Sequence, residues 1–394
     1  MTTASKPTSR RSLLRWLLQG VGIAAFWPLR HSMAAETPLE DTGPLTVRVQ
    51  RPYDAETPVG EFKSFLTPTH RLFVRSHFGP PPVEMTTEPQ WKLHVGGKVE
   101  RSQFFSMKDL KAFESVTLTS VLQCSGNGRA FHRPKVPGVQ WERGAVGNVQ
   151  WRGIRLRDIL KAAGVRAQAK HVQFQGADRP AATAVPLFIR SIPLEKALHP
   201  DTLLAYEMNG RPLPLLHGAP LRVVTPGWMA ESCIKWLTDI IVRDDEAKGY
   251  YMQTAYRLPV TGIQPNSGLP GTSMVPVEAM VVKSLISAPV EGAVVGQGPT
   301  MIQGVAWSGE ASIAKVELSF DEGKTWTAAR LVGEDEPYAW RQWQLTWKPA
   351  APGPVTVVCR ATDANGDIQP ETSPWNPGGF LWNGWDRISV TVNL

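Results

Sequence analysis

Cysteine is scarce in this chain, with Cys124, Cys233 and Cys359 the only three among 394 residues. An odd count leaves at least one thiol unpaired or ligated, which excludes a fold held together by disulfides alone. The eight histidines show no His-x-x-x-His spacing, and this argues against a zinc hydrolase. No Cys-x-x-Cys-His stretch occurs, so no covalent haem site is expected in this chain. Internal repeats and low-complexity tracts are missing too. Acidic residues are absent until Glu36, whereas Lys6, Arg10, Arg11, Arg15 and Arg30 precede it. Those five account for most of the formal charge of +7, and +2 remains without them. That balance excludes a nucleic-acid partner.

The charged N-terminus has the layout of an export signal. Paired arginines in "SRRSLLR" precede the modestly apolar "LLQGVGIAAFWPL" and the small-residue site "SMAAE". The apolar stretch is too short and glycine-containing to span a bilayer well. Residues 1–35 therefore resemble a twin-arginine signal peptide, and cleavage near Ala34 or Ala35 would release a periplasmic protein with no membrane span. This route serves proteins that fold around a cofactor before crossing.

A hydrophobic content of 42% with 20% charged residues suits a globular chain, and the length suggests two or three domains. Residues 36–65, rich in Pro, Thr and Glu, read as an extended arm on the surface. From 66 to 257 short strands alternate with brief helices. "KLHVGGKV" carries a Gly-Gly hairpin signal, while "SMKDLKAF" and "RLRDILKAAGV" read as amphipathic helices, the second ended by Gly164. This is α+β patterning, without the long helices of a doubly wound fold. Residues 258–275 hold the density of Pro and Gly expected of a linker. Beyond it, residues 276–394 become all-β. Val316, Leu318 and Phe320 alternate with polar residues before a turn at Asp321-Glu322-Gly323, and Trp343, Leu345 and Trp347 alternate likewise. The spacing predicts an immunoglobulin-like sandwich with Cys359 in its core.

One cysteine is placed unlike the others. In "TSVLQCSGNGRAF" Cys124 follows an apolar strand and precedes glycines that permit a tight turn, with Arg129 five residues on. That is a thiol held at a strand end beside a guanidinium. Cys233, in "AESCIKW", is ambiguous.

Several stretches taken together carry a family likeness: "FVRSH", "CSGNGRAF", "FQGAD", "RSIPL", "LAYEMNGRPLP", "HGAPLRVVTPG", "IKWL" and "AYR". In this order they resemble the sulfite oxidase family of molybdenum-pterin enzymes, from about residue 66 to the C-terminus. The resemblance implies a molybdopterin-binding α+β domain, then an immunoglobulin-like domain that often forms a homodimer interface. It also implies that Cys124 is the protein ligand of a molybdenum whose other sulfurs come from a pterin dithiolene. A thiolate is the soft donor such a metal takes.

By the same resemblance Arg75 and Arg129 face an oxyanion substrate, for which a planar, permanently charged fork is suited. Trp141 matches the aromatic wall of that pocket, and His77 lines it. On a strand His77 would share a face with Arg75. Tyr256 would place a phenol near the metal, with Tyr250 and Tyr251 competing for the role; counting from "KWL" favours Tyr256. Asn127 belongs to the cysteine motif. His217, Arg222 and Lys235 match the cradle of the cofactor's phosphate, and Asp178 and Ser191 match contacts to its pterin ring.

The expected activity is oxidation of sulfite to sulfate by oxygen transfer, with electrons passed to an external c-type cytochrome. Two related activities remain open, a sulfane dehydrogenase and a sulfoxide reductase; reductases of that type lack the sandwich domain. A non-catalytic exported binding protein is the reading from another class. Two departures from the family pattern bear on the substrate. Gly128 stands where an arginine is common, and "PGWMAESCIKWL" differs from the usual form, so Trp228 and Cys233 are expected to reshape the pocket. A further substrate arginine has no match.

Overall fold

Residues 115–123, "SVTLTSVLQ", are β-branched and apolar, and they form the strand Ser115–Gln123, whose last five residues are buried. It pairs with the ten-residue strand Val146–Arg155, which continues to Leu203–Met208 in an antiparallel sheet. The short strands Arg211–Pro212 and Arg222–Val224 both pair with Leu203–Met208. The computed structural model describes residues 45–265, 267 and 273–393. The expected signal peptide and residues 36–44 lie outside the described residues.

A second five-stranded sheet runs Gln103–Phe105, Leu93–Gly97, Leu237–Arg243, His171–Gly176, Ile189–Pro193, with one parallel pair between Leu93–Gly97 and Leu237–Arg243. The Gly-Gly pair ends its strand rather than making the turn, which falls at residues 98–102. A side chain on Gly97, at φ +85°, would strike the carbonyl of Val242. Both expected helices are present. Met107–Lys111 starts at a capping box of Ser106 and Asp109, and Leu156–Ala163 stops at Gly164, at φ 74°. Leu156, Ile159, Leu160 and Ala163 face a core that also holds Leu93, Val95, Val172, Phe174, Leu204, Val223 and Ile240. One core thus joins both sheets. The longest helix among the described residues has eight residues, as α+β patterning requires.

Two further sheets follow, antiparallel except where the short strand Val294–Val295 runs parallel to Asp386–Val392. Lys283–Ala288, Thr300–Trp307, Arg341–Trp347 and Arg330–Val332 make one; Gly353–Asp363, Asp386–Val392 and Ile313–Ser319 carry the other. Ile286, Ile302 and Trp343 from the first meet Val316, Leu318, Val357, Cys359 and Ile388 from the second. This is the expected sandwich, with Cys359 fully buried in it. The Pro- and Gly-rich linker is structured at its ends, where Arg257–Pro259 pairs with Met274–Pro276.

The arm departs from its expected surface course. Asp54–Glu56 is a buried strand paired with Thr46–Val49, and Ala55 bridges to Val74. Its two carboxylates are tolerated in the interior because each has a cation: Arg75 for Asp54 and Arg48 for Glu56.

Candidate active site

The strand Ser115–Gln123 delivers Cys124 to a loop that hydrogen bonds hold. The Cys124 N–H donates to the Ala145 carbonyl at 3.0 Å, and its own carbonyl accepts from Asn127 at 2.9 Å. Gly128 takes φ 98°, and a Cβ there would lie 2.7 Å from the Trp382 ring. No other residue fits that turn against that indole.

Cys124 opens into a cavity. Eight of the sequence-predicted residues line it: Arg75, His77, Cys124, Asp178, His217, Arg222, Lys235 and Tyr256. Four do not. Asn127 is buried, with its side-chain oxygen accepting from the Ala145 N–H at 3.2 Å. Arg129 turns its guanidinium to the carbonyls of Val139 and Gly378, at 3.0 and 3.1 Å. Its charge still reaches the Cys124 thiol and the Tyr256 phenol. Trp141 packs in the cluster that includes Leu122 and Cys124, behind the wall. Ser191 spends its hydroxyl accepting from the Ala247 N–H at 2.9 Å. Of the two residues singled out in the departing stretch, Cys233 lines the cavity and Trp228 instead donates to Glu310 at 3.2 Å.

At the Cys124 end, burial pushes the thiol up, against the pull of Arg75 and Arg129. Tyr256, not Tyr250 or Tyr251, reaches this space. Burial raises its phenol to about 12, and burial with the Arg75 charge lowers His77 to about 2. Both are neutral at pH 7. His77 Nε2 lies 2.8 Å from the Tyr256 oxygen, and Arg75 Nη2 lies 3.2 Å from His77 Nδ1. Arg75 Nη2 lies nearly as close, at 3.4 Å, to His77 Nε2, so the guanidinium sits against both ring nitrogens. His77 and Tyr256 share one hydrogen bond, and the phenol lines the cavity.

The other end is basic. Arg222 donates to the carbonyls of His217 and Cys233, at 2.9 and 3.2 Å, and its Nε has no partner. Lys235 Nζ donates to the Leu216 carbonyl at 2.8 Å, and burial with the Arg222 charge lowers it to about 7. Burial, then Lys235 and Arg222, lowers His217 to about 3. Asp178 is raised to about 6 by burial, moderated by Lys235. Buried His217 and Arg222 and half-buried Lys235, whose hydrogen bonds go to carbonyls, call for an anion with several acceptor oxygens, such as a phosphate. With a soft thiol at one end and this cradle at the other, the donor set fits a molybdenum-pterin cofactor with a phosphate tail.

Sequence reasoning missed Asp54, Ser125, Phe188 and Glu231. Phe188 stacks on His77 at 4.6 Å, and Asp54 accepts from Arg75 at 2.9 Å and from the Ser76 N–H at 3.1 Å. A carboxylate in a Thr- and Pro-rich arm gives no local sign of such a partner. Asp54→Asn is expected to cost about 3 kcal/mol, because it leaves the Arg75 charge uncompensated in the interior. Denaturant unfolding would show it as a lower midpoint, and an unchanged midpoint would contradict the pairing.

The contacts to the loop after Cys124 and to Tyr256 come partly from far along the chain. Leu381 donates its N–H to the Ser125 carbonyl at 2.9 Å, and Phe380 stacks on Tyr256 with centroids 5.2 Å apart. Lys283 Nζ reaches the Asn127 carbonyl at 3.4 Å and lies over the Trp382 ring at 4.9 Å.

Known proteins match the chain along most of its length. Residues 78–251 match the oxidoreductase molybdopterin binding domain, and residues 275–393 match the Mo-co oxidoreductase dimerisation domain. The sequence is 36% identical over 368 residues to mitochondrial sulfite oxidase of Rattus norvegicus, covering 88% of this chain and 66% of that protein. It thus spans just under two thirds of that relative's length. Sulfite oxidase of Arabidopsis thaliana is 31% identical, with 88% and 94% covered. Among solved structures, the sulfane dehydrogenase SoxCD from Paracoccus pantotrophus superposes with a TM-score of 0.74 at 26% identity, covering 87% of each chain.

Proposed function

The chain belongs to the sulfite oxidase family of molybdopterin oxidoreductases, and from that premise we propose that it oxidises sulfite to sulfate in the periplasm as a sulfite dehydrogenase. One observation carries the reading: a buried thiol, the Tyr256 phenol and the Arg75 guanidinium converge on one end of a cavity whose other end suits a phosphate. Cys124 would hold the molybdenum, and His217, Arg222 and Lys235 would hold the pterin phosphate, with Asp178 beside the ring. The bound group supplies two-electron redox change and oxygen transfer.

The chain's own residues orient and stabilise. Arg75 is fixed by Asp54 and offers charge without moving, so it stabilises charge on substrate oxygens at little reorganisation cost. Arg129 adds field from behind the wall. Tyr256, hydrogen-bonded to His77, presents its phenol to the cavity. Two electrons leave per turnover, and a c-type cytochrome is the acceptor class we assign. The match of residues 275–393 to a dimerisation domain supports a homodimer, and the paired arginines support export by the twin-arginine route.

The structural likeness to a sulfane dehydrogenase favours a second reading, in which a sulfane sulfur replaces sulfite. Metal analysis followed by cytochrome c reduction assays with sulfite, thiosulfate and methionine sulfoxide separates the two. Molybdenum with sulfite-dependent reduction is expected. Absence of the metal, or turnover of thiosulfate alone, would overturn the first reading.

A further inference from the structure

Two cations of the basic cradle each rest on an indole. The Arg222 guanidinium lies over the Trp151 ring, 4.8 Å from its centroid, and the Lys235 ammonium lies over the Trp236 ring at 4.2 Å. Both tryptophans are buried, Trp151 completely. They come from separate parts of the fold, Trp151 from the strand Val146–Arg155 and Trp236 from the residue just before the strand Leu237–Arg243. The groups that act on Arg222 include the Cys233 thiol and no carboxylate, while Asp178 and Asp54 act on Lys235 without a hydrogen bond to it.

An indole suits such a place better than a carboxylate. A carboxylate would take up the N–H donors and repel an arriving anion. The negative face of an indole attracts the cation from one side only, and the donors stay free at the edge of the guanidinium or around the ammonium. A buried tryptophan ordinarily gives its N–H to an acceptor, yet Trp151 Nε1 has no partner, so hydrogen bonding is not what calls for tryptophan there. Its ring face is. Trp236 adds a second sign. It sits at φ 52°, a conformation that persists only where its surroundings hold it. The Gly218 carbonyl accepts its N–H at 3.2 Å and the Leu215 carbonyl accepts its Nε1 at 2.7 Å, beside the Leu216 carbonyl that holds Lys235. That strained turn sets the ring under the ammonium of its own neighbour.

We propose that Trp151 and Trp236 are positioning residues, which hold Arg222 and Lys235 as donors aimed at an anion of the phosphate class. This rests on the reading above that this end of the cavity seats the pterin phosphate. The two rings act through the cations: they offset part of the cost of keeping positive charge away from water, and they fix its direction before the anion arrives. Binding then spends little on ordering the cradle.

The test uses the full chain freed of cofactor, with inorganic phosphate as the probe and the phosphate-dependent rise of the unfolding midpoint as the measure of affinity. Position 151 alone receives mono-, di- or trifluorinated tryptophan, which keeps the shape of the ring while withdrawing electron density from its face. Phosphate affinity should fall step by step along the series, by roughly 5- to 30-fold in all. Trp151→Phe, which loses no hydrogen bond, should fall within that range, and Trp151→Leu should bind phosphate more weakly than Trp151→Phe. A ring that only fills space would leave the affinity unchanged along the fluorine series, and that result overturns the assignment. No phosphate response in wild type removes the cradle, and the inference with it. If the response is present and falls with fluorine, while the loaded enzyme does not oxidise sulfite, the substrate reading fails and the positioning role stands.

Discussion

Cys124→Ser is expected to abolish sulfite-dependent electron transfer, with activity falling by at least about a hundredfold. Loss of a group that only supports a metal ligand already costs 10–100-fold, and this change removes the ligand itself. Serine matches the shape of cysteine, but its hydroxyl is a hard donor that stays protonated, whereas a thiolate is soft and ionises beside positive charge. The fold should be indifferent to the change. The bonds that shape the loop run from the Cys124 N–H to Ala145 and from Asn127 to the Cys124 carbonyl, and neither uses the sulfur; the Gly126 N–H that faces the thiol can donate to a serine oxygen as well. Unfolding should therefore match wild type while molybdenum content and the sulfite-induced bleaching of the metal absorption are lost. The sign of the pH effect follows from burial, which holds the thiol protonated at neutral pH. Metal binding must displace that proton, so loading is expected to tighten as pH rises. A serine variant that keeps its metal and still bleaches with sulfite would place the ligand elsewhere.

How far this was legible from sequence depends on distance along the chain. The strand before Cys124, the helix stopped by Gly164 and the alternation around Trp343 are local patterns, and each appeared as expected. Motif positions named which residues belong together, and eight of them share the cavity. They did not name the atoms each residue faces. Arg129, expected toward substrate, donates to Val139 and Gly378 because the tight loop packs it against residues 378–380. That loop lies about 250 residues away, and no periodicity relates the two segments. The same holds for Phe380 on Tyr256 and for Lys283 on Asn127. Asp54 and Glu231 are single acidic residues in stretches whose composition suggests solvent. Only burial reveals them.

The contacts from residues 375–382 also bear on how the site keeps its shape. Tyr256 sits at φ 54°, a region unfavourable for a residue with a side chain, and such a backbone persists only where its surroundings hold it. Phe380 stacked on its ring and the Val277 N–H donated to its carbonyl at 2.9 Å are those surroundings. Residues of the second domain therefore shape the phenol's position.

Lys235→Met is the most informative change at the phosphate cradle, because its two effects have opposite signs. The ammonium is buried beside Arg222 and His217, and its fall to about 7 means that charging it there is unfavourable. Methionine keeps the apolar stem, which packs on Trp236, and removes that cost. The cofactor-free protein should be as stable as wild type or slightly more so. Cofactor affinity should drop by roughly 10- to 100-fold, since a charged donor to a phosphate contributes about 1.5–3 kcal/mol. Arg222→Met separates the effects less well, because it strips donors from two carbonyls, those of His217 and Cys233, where Lys235→Met strips only the one to Leu216. Wild-type affinity should itself weaken as pH climbs above 7: the free side chain loses its proton there, and an anion beside it would have to restore the charge. Pterin content measured against unfolding midpoint resolves the two effects. A variant equally stable and equally loaded would show that Lys235 does not face the phosphate.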